Sequence, residues 1–292
     1  MARVGIIVTD GYSVEDPDVD TPLLLPALRE LGLDAEATVW HADLDWAGYD
    51  LLVLRSPWDY PRRVAEFTAW FERVQRVTRV LNEPALVHWN LDKRYLAELA
   101  ERGIGVVPTS YATTTAEVAA ALAPHGAGWV VVKPSVSAGA HDTALVRADS
   151  PEAAELTGRI VGRGATVMVQ PEVPELSHGA EKALYLVDGE LTHAVAKGAL
   201  LERGGGFIGG VYQETPQLVP TTDDEVAFAG ATMAAIADAT GLETPLYARI
   251  DTVLSAEHGL VLLEAELFEP TFNLHLVPEV VQRFAAAVAA RV

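Results

Sequence analysis

From residue 4 to residue 82, short apolar runs alternate with stretches of helical periodicity, and few folds satisfy that pattern. VGIIVT (4–9), AEATVW (35–40), DLLVLR (50–55) and RVLN (79–82) have the length and character of buried strands. Between them LLLPALRELG (23–32) is helical and stops at Gly32, and RVAEFTAWFERVQ (63–75) sets Val64, Phe67, Trp70, Phe71 and Val74 on one helical face. Strands alternating with helices predict a mostly parallel sheet. Residues 1–88 therefore read as a small α/β domain.

After Pro84 the texture changes. NLDKRYLAELAERG (90–103) reads as one helix ended by glycine. The helices TTAEVAAALAP and PEAAELTGRIVGRG and the strands GWVVVKP and TALVRAD, joined by the polar turn SVSAGAHD, make a compact α+β unit over 89–166. The third block, 167–292, holds the hairpin ALYLVDGELTHAVAK, with a strong turn signal at Asp188-Gly189. It continues with the glycine-rich RGGGFIGGVYQ (203–213), an Ala-rich helix (223–240), the strands LYARIDTVL and GLVLLEAEL, and a last helix (278–291).

Composition removes several function classes. A formal charge of −20 argues against a nucleic-acid surface, which needs a basic patch. With no cysteine there is no disulfide, thiolate nucleophile or thiolate metal site. The apolar runs fall short of the ~20 residues that cross a bilayer, and the N-terminus lacks the pattern of a signal peptide, so a cytoplasmic protein with no membrane partner is expected. The eight histidines show no paired metal-ligand spacing.

The chemistry concentrates in a few places. Asp251 lies in one strand, and Glu264 and Glu266 lie in the next. Residues two apart on a strand share a face, so the two glutamates project together, and Asp251 joins them if the strands pair. Converging carboxylates repel unless a cation lies between them, and hard oxygen donors suit Mg²⁺. The other reading is a solvated strand face, which the apolar flanks oppose. Only four lysines stand against seventeen arginines, and a lysine suits a phosphate as a compact, mobile charge. Lys133 opens KPSVSAGA, where Ser135, Ser137 and small residues would let backbone amides approach a phosphate, although a plain hairpin turn reads equally well. RGGGFIGG has the makeup of a closing flap or of a surface loop. Arg55, Trp58 and Asp59 in RSPWDY leave the C-terminal end of a strand, where α/β sheets place ligands. They could meet an amino-acid-like substrate, or Trp58 and Tyr60 could staple the next helix.

In order, these segments resemble the ATP-grasp superfamily of carboxylate–amine ligases, over essentially the whole chain. The resemblance implies an N-terminal α/β domain followed by two α+β sub-domains that sandwich ATP. It implies that Lys93 and Lys133 meet the phosphates, with Ser135 and Ser137 beside them. Gln170, Glu172 and Val173 would form the adenine hinge and Glu181 would meet the ribose. Asp251, Glu264 and Glu266 would hold two Mg²⁺ ions, and Lys197, Arg203 and Arg249 would stabilise the transferring phosphoryl group. Relatives are often homodimers. RSPWDY, HWNLDKRYL, VVKPSVSAGA, MVQPEV, GAEKAL and LLEAELFEPTF look like a subgroup that cyclises O-ureido-serine. The implied reaction is an ATP-dependent ligation through an acyl phosphate. Rival readings are a dipeptide ligase, a phosphoryl transferase, and a nucleotide-binding module without turnover. Two departures motivate the last. Glu266 stands where the family has Asn, which calls for a basic neighbour such as Arg203 or Arg249, and Ala183 replaces a basic residue. The segment FEPTFNL also differs from the family's small-residue turn.

Overall fold

A computed structural model describes residues 1–10, 17–204 and 215–292. The N-terminal unit contains β1 (Arg3–Val8), α1 (Thr21–Glu30), β2 (Asp34–Val39), β3 (Leu51–Ser56), α2 (Val64–Val74) and β4 (Val80–Leu81). Its sheet runs β2-β1-β3-β4 and every pairing is parallel, as the alternation predicts. Successive residues of β3 feed opposite cores. Leu51 and Val53 pack towards α1, while Leu52 and Leu54 meet an aromatic cluster of Trp40, Trp70, Phe67 and Phe71.

The helix expected over 90–103 begins late, as α4 (Tyr95–Glu101), and a separate helix, α3 (Pro84–Asn90), ends where it was expected to start. At the break the Asp92 carboxylate accepts from the Arg94 amide, and the Lys93 amide donates 2.8 Å to the Ser135 carbonyl. Side-chain competition for backbone donors is what ends a helix locally. The corner has a second use. Asn90 bonds the Ala265 carbonyl and the Leu267 amide at 2.8 and 2.9 Å, and the Tyr95 hydroxyl bonds both backbone groups of Ala265 at 2.9 Å.

The middle unit contains β5 (Ser110–Ala112), α5 (Thr115–Leu122), β6 (Trp129–Pro134), β7 (Ala144–Arg147), α6 (Pro151–Gly162) and β8 (Val167–Pro171), with antiparallel order β5-β8-β6-β7. A boundary at residue 167 therefore falls too early by sheet membership, because β8 pairs with β6. The third unit contains β9 (Lys182–Val187), β10 (Glu190–Ala196), β11 (Gln217–Leu218), α7 (Asp223–Thr240), β12 (Tyr247–Ser255), β13 (Gly259–Glu266) and α8 (Pro278–Ala289). Its antiparallel sheet runs β11-β10-β9-β12-β13. Asp188 and Gly189 turn the β9–β10 hairpin with φ of 54° and 75°, the left-handed pair such a turn needs.

The two faces of β12 differ. Ala248 and Ile250 pack in the core that also holds Leu96, Leu99, Ala235 and Ile236 of α4 and α7. On the other face Tyr247 enters the core shared with β1, β3 and α8, and Arg249 and Asp251 continue that face into a cavity.

Candidate active site

The cavity has a volume of about 360 Å³ and draws its walls from all three sheets' surroundings. Val131, Leu176 and Leu263 give it apolar surface, and Lys93, Lys133, Lys197, Arg249, Glu181, Asp251, Glu264, Glu266 and Glu269 supply charge. A small concave site with apolar walls and a few converging charges suits a nucleotide-sized ligand.

Strand register decides which charges converge. In the β12–β13 pair Arg249 lies opposite Glu266 and Asp251 opposite Glu264. The Arg249 guanidinium donates to both oxygens of Asp251, at 2.8 and 2.7 Å, and to Glu266. Lys197 reaches Asp251 at 3.2 Å and Glu181 at 2.9 Å, and Lys93 reaches Glu264 at 2.9 Å. Lys93 also donates 2.6 Å to the Ser137 carbonyl, which ties the small-residue loop to the break between α3 and α4. Among the described residues no group of three carboxylates or histidines stands ready around a metal, because cations occupy the spaces between these carboxylates.

Burial and charge set the protonation of the array. Burial pushes the Asp251 carboxyl up, but Arg249 and Lys197 together hold it below the usual range. Burial pushes Glu266 up to about 7, with Glu264 and Asp251 adding to the rise against Arg249. Burial works against the Lys93 ammonium, and Glu264 more than offsets it. Lys133 differs from these. Its ammonium makes no ion pair or hydrogen bond among the described residues, and burial with Lys93 and Lys197 nearby lowers its pKa.

The expected site residues divide. Lys93, Lys133, Ser137, Gln170, Glu181, Lys197, Arg249, Asp251, Glu264, Glu266 and Trp58 line the cavity. Ser135 does not. It is buried, and its backbone bonds Thr166 and Lys93. Arg203 also lies outside, where it makes a two-bonded pair with Glu172 at 2.7 and 2.8 Å, so the basic neighbour of Glu266 is Arg249. Arg55 is buried against Asp20 and the Pro270 carbonyl, and Asp59 accepts from Trp40 and Arg63. Neither lines the cavity, because each already has structural partners. Glu172 and Val173, expected as the adenine hinge, do not line the cavity, and two of their backbone groups are already in use. The Glu172 amide is taken by the Trp129 carbonyl at 3.1 Å and the Val173 carbonyl by the Leu176 amide at 3.0 Å. Ala183 is fully buried on β9, opposite Asp251. Lys182 pairs with Glu225, away from the cavity. The glycine-rich flap candidate lies, from 205 to 213, outside the described residues.

Sequence reasoning missed Glu269, Thr271, Asn273 and His275, which also line the cavity. FEPTF was visible as an unusual turn, but nothing local marks its glutamate as facing a ligand. No helix among the described residues is long and apolar enough to cross a membrane.

Comparison with known proteins places this geometry. Residues 4–82 match the family model of the D-cycloserine synthetase DcsG N-terminal domain. The chain is 36% identical to the cycloserine biosynthesis protein DcsG of Streptomyces lavendulae, over 98% of this chain and 97% of the relative. A crystal structure of D-cycloserine synthetase DcsG superposes with a TM-score of 0.90 at 35% identity, covering 99% of both chains. The ATP complex of D-alanine–D-alanine ligase from Bacillus anthracis shares the fold, with a TM-score of 0.66 at 13% identity over 99% of this chain and 97% of that one.

Proposed function

The chain belongs to the D-cycloserine synthetase family of ATP-grasp ligases, ATP-dependent enzymes that form C–N bonds, and from that premise we propose that it closes a ring on an O-ureido-serine-type amino acid. The observation that carries this reading is the interleaved array of four cations and four carboxylates that line the cavity: Lys93, Lys133, Lys197 and Arg249 with Glu181, Asp251, Glu264 and Glu266. Each group but Lys133 now neutralises another. A triphosphate would take over the cations, and divalent ions would take over the carboxylates.

The donor set fits magnesium. Asp251, Glu264 and Glu266 are hard oxygen ligands on paired strands; burial, with Glu264 and Asp251 adding to it, raises the Glu266 carboxyl, and a bound cation would favour its anion. We take these three to hold two Mg²⁺ ions, whose contribution is to neutralise charge on the transferring phosphoryl group. The protein's own side chains do the positioning. Val131, Leu176 and Leu263 would enclose the adenine, and Lys93 and Lys133 would orient the phosphates. Lys197 and Arg249 would face the charge that builds as the substrate carboxylate attacks the γ-phosphate. That step yields ADP and an acyl phosphate, and the substrate's own nitrogen then attacks the acyl carbon and expels phosphate. Ser137 would hold the small-residue loop over the phosphates through its bonds to Lys93.

The test is ADP release with O-ureido-serine, followed by the mass of the product. One ADP and one phosphate per turnover, with a ring product formed from a single substrate molecule, is the expected result: it is lighter by one water if the carbamoyl group stays on the ring nitrogen, and lighter also by the elements of HNCO, released with water as ammonia and carbon dioxide, if that group leaves. A product joining two amino acids would make this a dipeptide ligase, and AMP with pyrophosphate would exclude the acyl phosphate.

A further inference from the structure

One buried acid of the cavity has no place in the nucleotide and metal assignments. Glu269 is 7% exposed and lines the cavity three residues beyond Glu266. Its Oε1 accepts 2.6 Å from the Tyr60 hydroxyl, while its Oε2 is buried with no hydrogen-bond partner. A buried carboxylate oxygen without a donor is a costly arrangement unless something outside the protein supplies one.

The surroundings hold this residue in place. Trp58 Nε1 donates 2.8 Å to the Glu269 carbonyl, and Arg55 donates 2.9 Å to the next carbonyl, that of Pro270. Tyr60 is itself fully buried among Phe67 and Phe268. The backbone and one carboxylate oxygen are thus fixed, and because the carboxylate is planar its second oxygen is held with them, on a residue that lines the cavity. The rest of this end, Trp58, Thr271, Asn273 and His275, brings no lysine or arginine. All four cations of the cavity come from the α3–α4 corner, β6, β12 and the end of β10. Lys93 acts on Glu269 through space but is already paired with Glu264, so a ligand group that brings its own positive charge matches Glu269 best, and a primary ammonium brings three donors with it. The nearby indole of Trp58 favours the same charge.

We propose that Glu269, held by Tyr60, receives the ammonium group of the substrate, so that the enzyme takes an amino acid whose amine is free and protonated and discriminates against its N-acylated counterpart. The assignment rests on the ligase reading above and adds the element of substrate selection. Burial, with Glu266 and Glu264 beside it, pushes the Glu269 carboxyl well above the usual range when nothing faces it, and an arriving ammonium favours the anion.

The test compares O-ureido-serine with N-acetyl-O-ureido-serine in wild type, Glu269→Gln and Tyr60→Phe. ADP release gives KM and kcat, and calorimetry with a non-hydrolysable ATP analogue and Mg²⁺ gives binding. A hydrogen bond to a charged group predicts a KM for the free amine roughly 10- to 100-fold below that of the acetylated compound in wild type. In Glu269→Gln that preference collapses, while the KM for ATP and the Mg²⁺ half-saturation stay within about two-fold of wild type. Tyr60→Phe keeps the charge and weakens the preference only a few-fold, which covers the case of a poorly folding Gln variant. Equal handling of both compounds by wild type overturns the proposal alone. A raised Mg²⁺ requirement in Glu269→Gln overturns it in favour of a metal ligand. Equal losses with both compounds reduce the residue to a structural role. Wild type that neither binds nor turns over either compound fails the O-ureido-serine reading instead, and this assignment falls with it.

Discussion

Two buried arginine–carboxylate clusters lie along the same face of β12, and only one of them belongs to the cavity. Arg249 and Arg55 are 5% and 2% exposed, and their partners Asp251 and Asp20 are equally hidden. Around Arg55 the protein is closed. Tyr247, Phe272 and Phe284 lie 5.0–5.2 Å from its guanidinium carbon, and Asp20 is satisfied by Arg55 and the amides of Phe272 and Leu274. Burial nevertheless leaves the Asp20 carboxyl raised, since one cation and two amides do not cancel it. Around Arg249 there are two cations for Asp251, further carboxylates, and an open wall. A buried ion pair by itself therefore says little about function. Surplus charge that faces a cavity says more, because it needs a partner that the chain does not contain.

The largest break in this comparison comes from Lys133. It has no ion pair to lose, so Lys133→Ala should leave the melting temperature unchanged or slightly higher, while kcat/KM for ATP falls by roughly 10³-fold or more. Calorimetry and ADP release on one preparation read both numbers, and near-normal turnover would remove Lys133 from the site. Arg55→Ala should behave in the opposite way. Leaving Asp20 buried and alone costs about 3–5 kcal/mol, or a melting temperature lower by roughly 10 °C, with the KM for ATP of the folded enzyme little changed. A tenfold rise in KM at unchanged stability would return Arg55 to substrate binding. Arg203→Ala is the smallest expected effect. Its pair with Glu172 is exposed on the arginine side, where solvent screens it, and it lies outside the cavity, so kcat should stay within about fivefold. A loss of several hundredfold would show that Arg203 reaches the reacting phosphate during turnover.

Much of the architecture is legible in the sequence because it is local. Alternating strands and helices dictate the parallel N-terminal sheet, Asp188-Gly189 dictates the β9–β10 hairpin, and a capped, Ala-rich run forms α7 at the expected residues. The spacing of Glu264 and Glu266 puts both on one face whatever surrounds them. The turn at Lys93 that delays the helix expected from residue 90 was not legible, because it depends on the Ser135 carbonyl, forty-odd residues away. Arg55 and Arg203 fail as site residues for the same reason. Their chemistry is right, but their partners, Asp20 and Glu172, are set by packing.

The chain's periodicity and its i, i+2 carboxylates determine the sheets, the side chains each strand turns outward, and the ligase family that the ordered motifs resemble. Tertiary structure alone decides which of those side chains share a space. The β12–β13 register brings Arg249 opposite Glu266, and the turn after β13 carries Glu269 to Tyr60. The reason is the range of the forces involved: backbone geometry acts over a few residues, whereas the pairing of buried charges depends on the packing of distant segments.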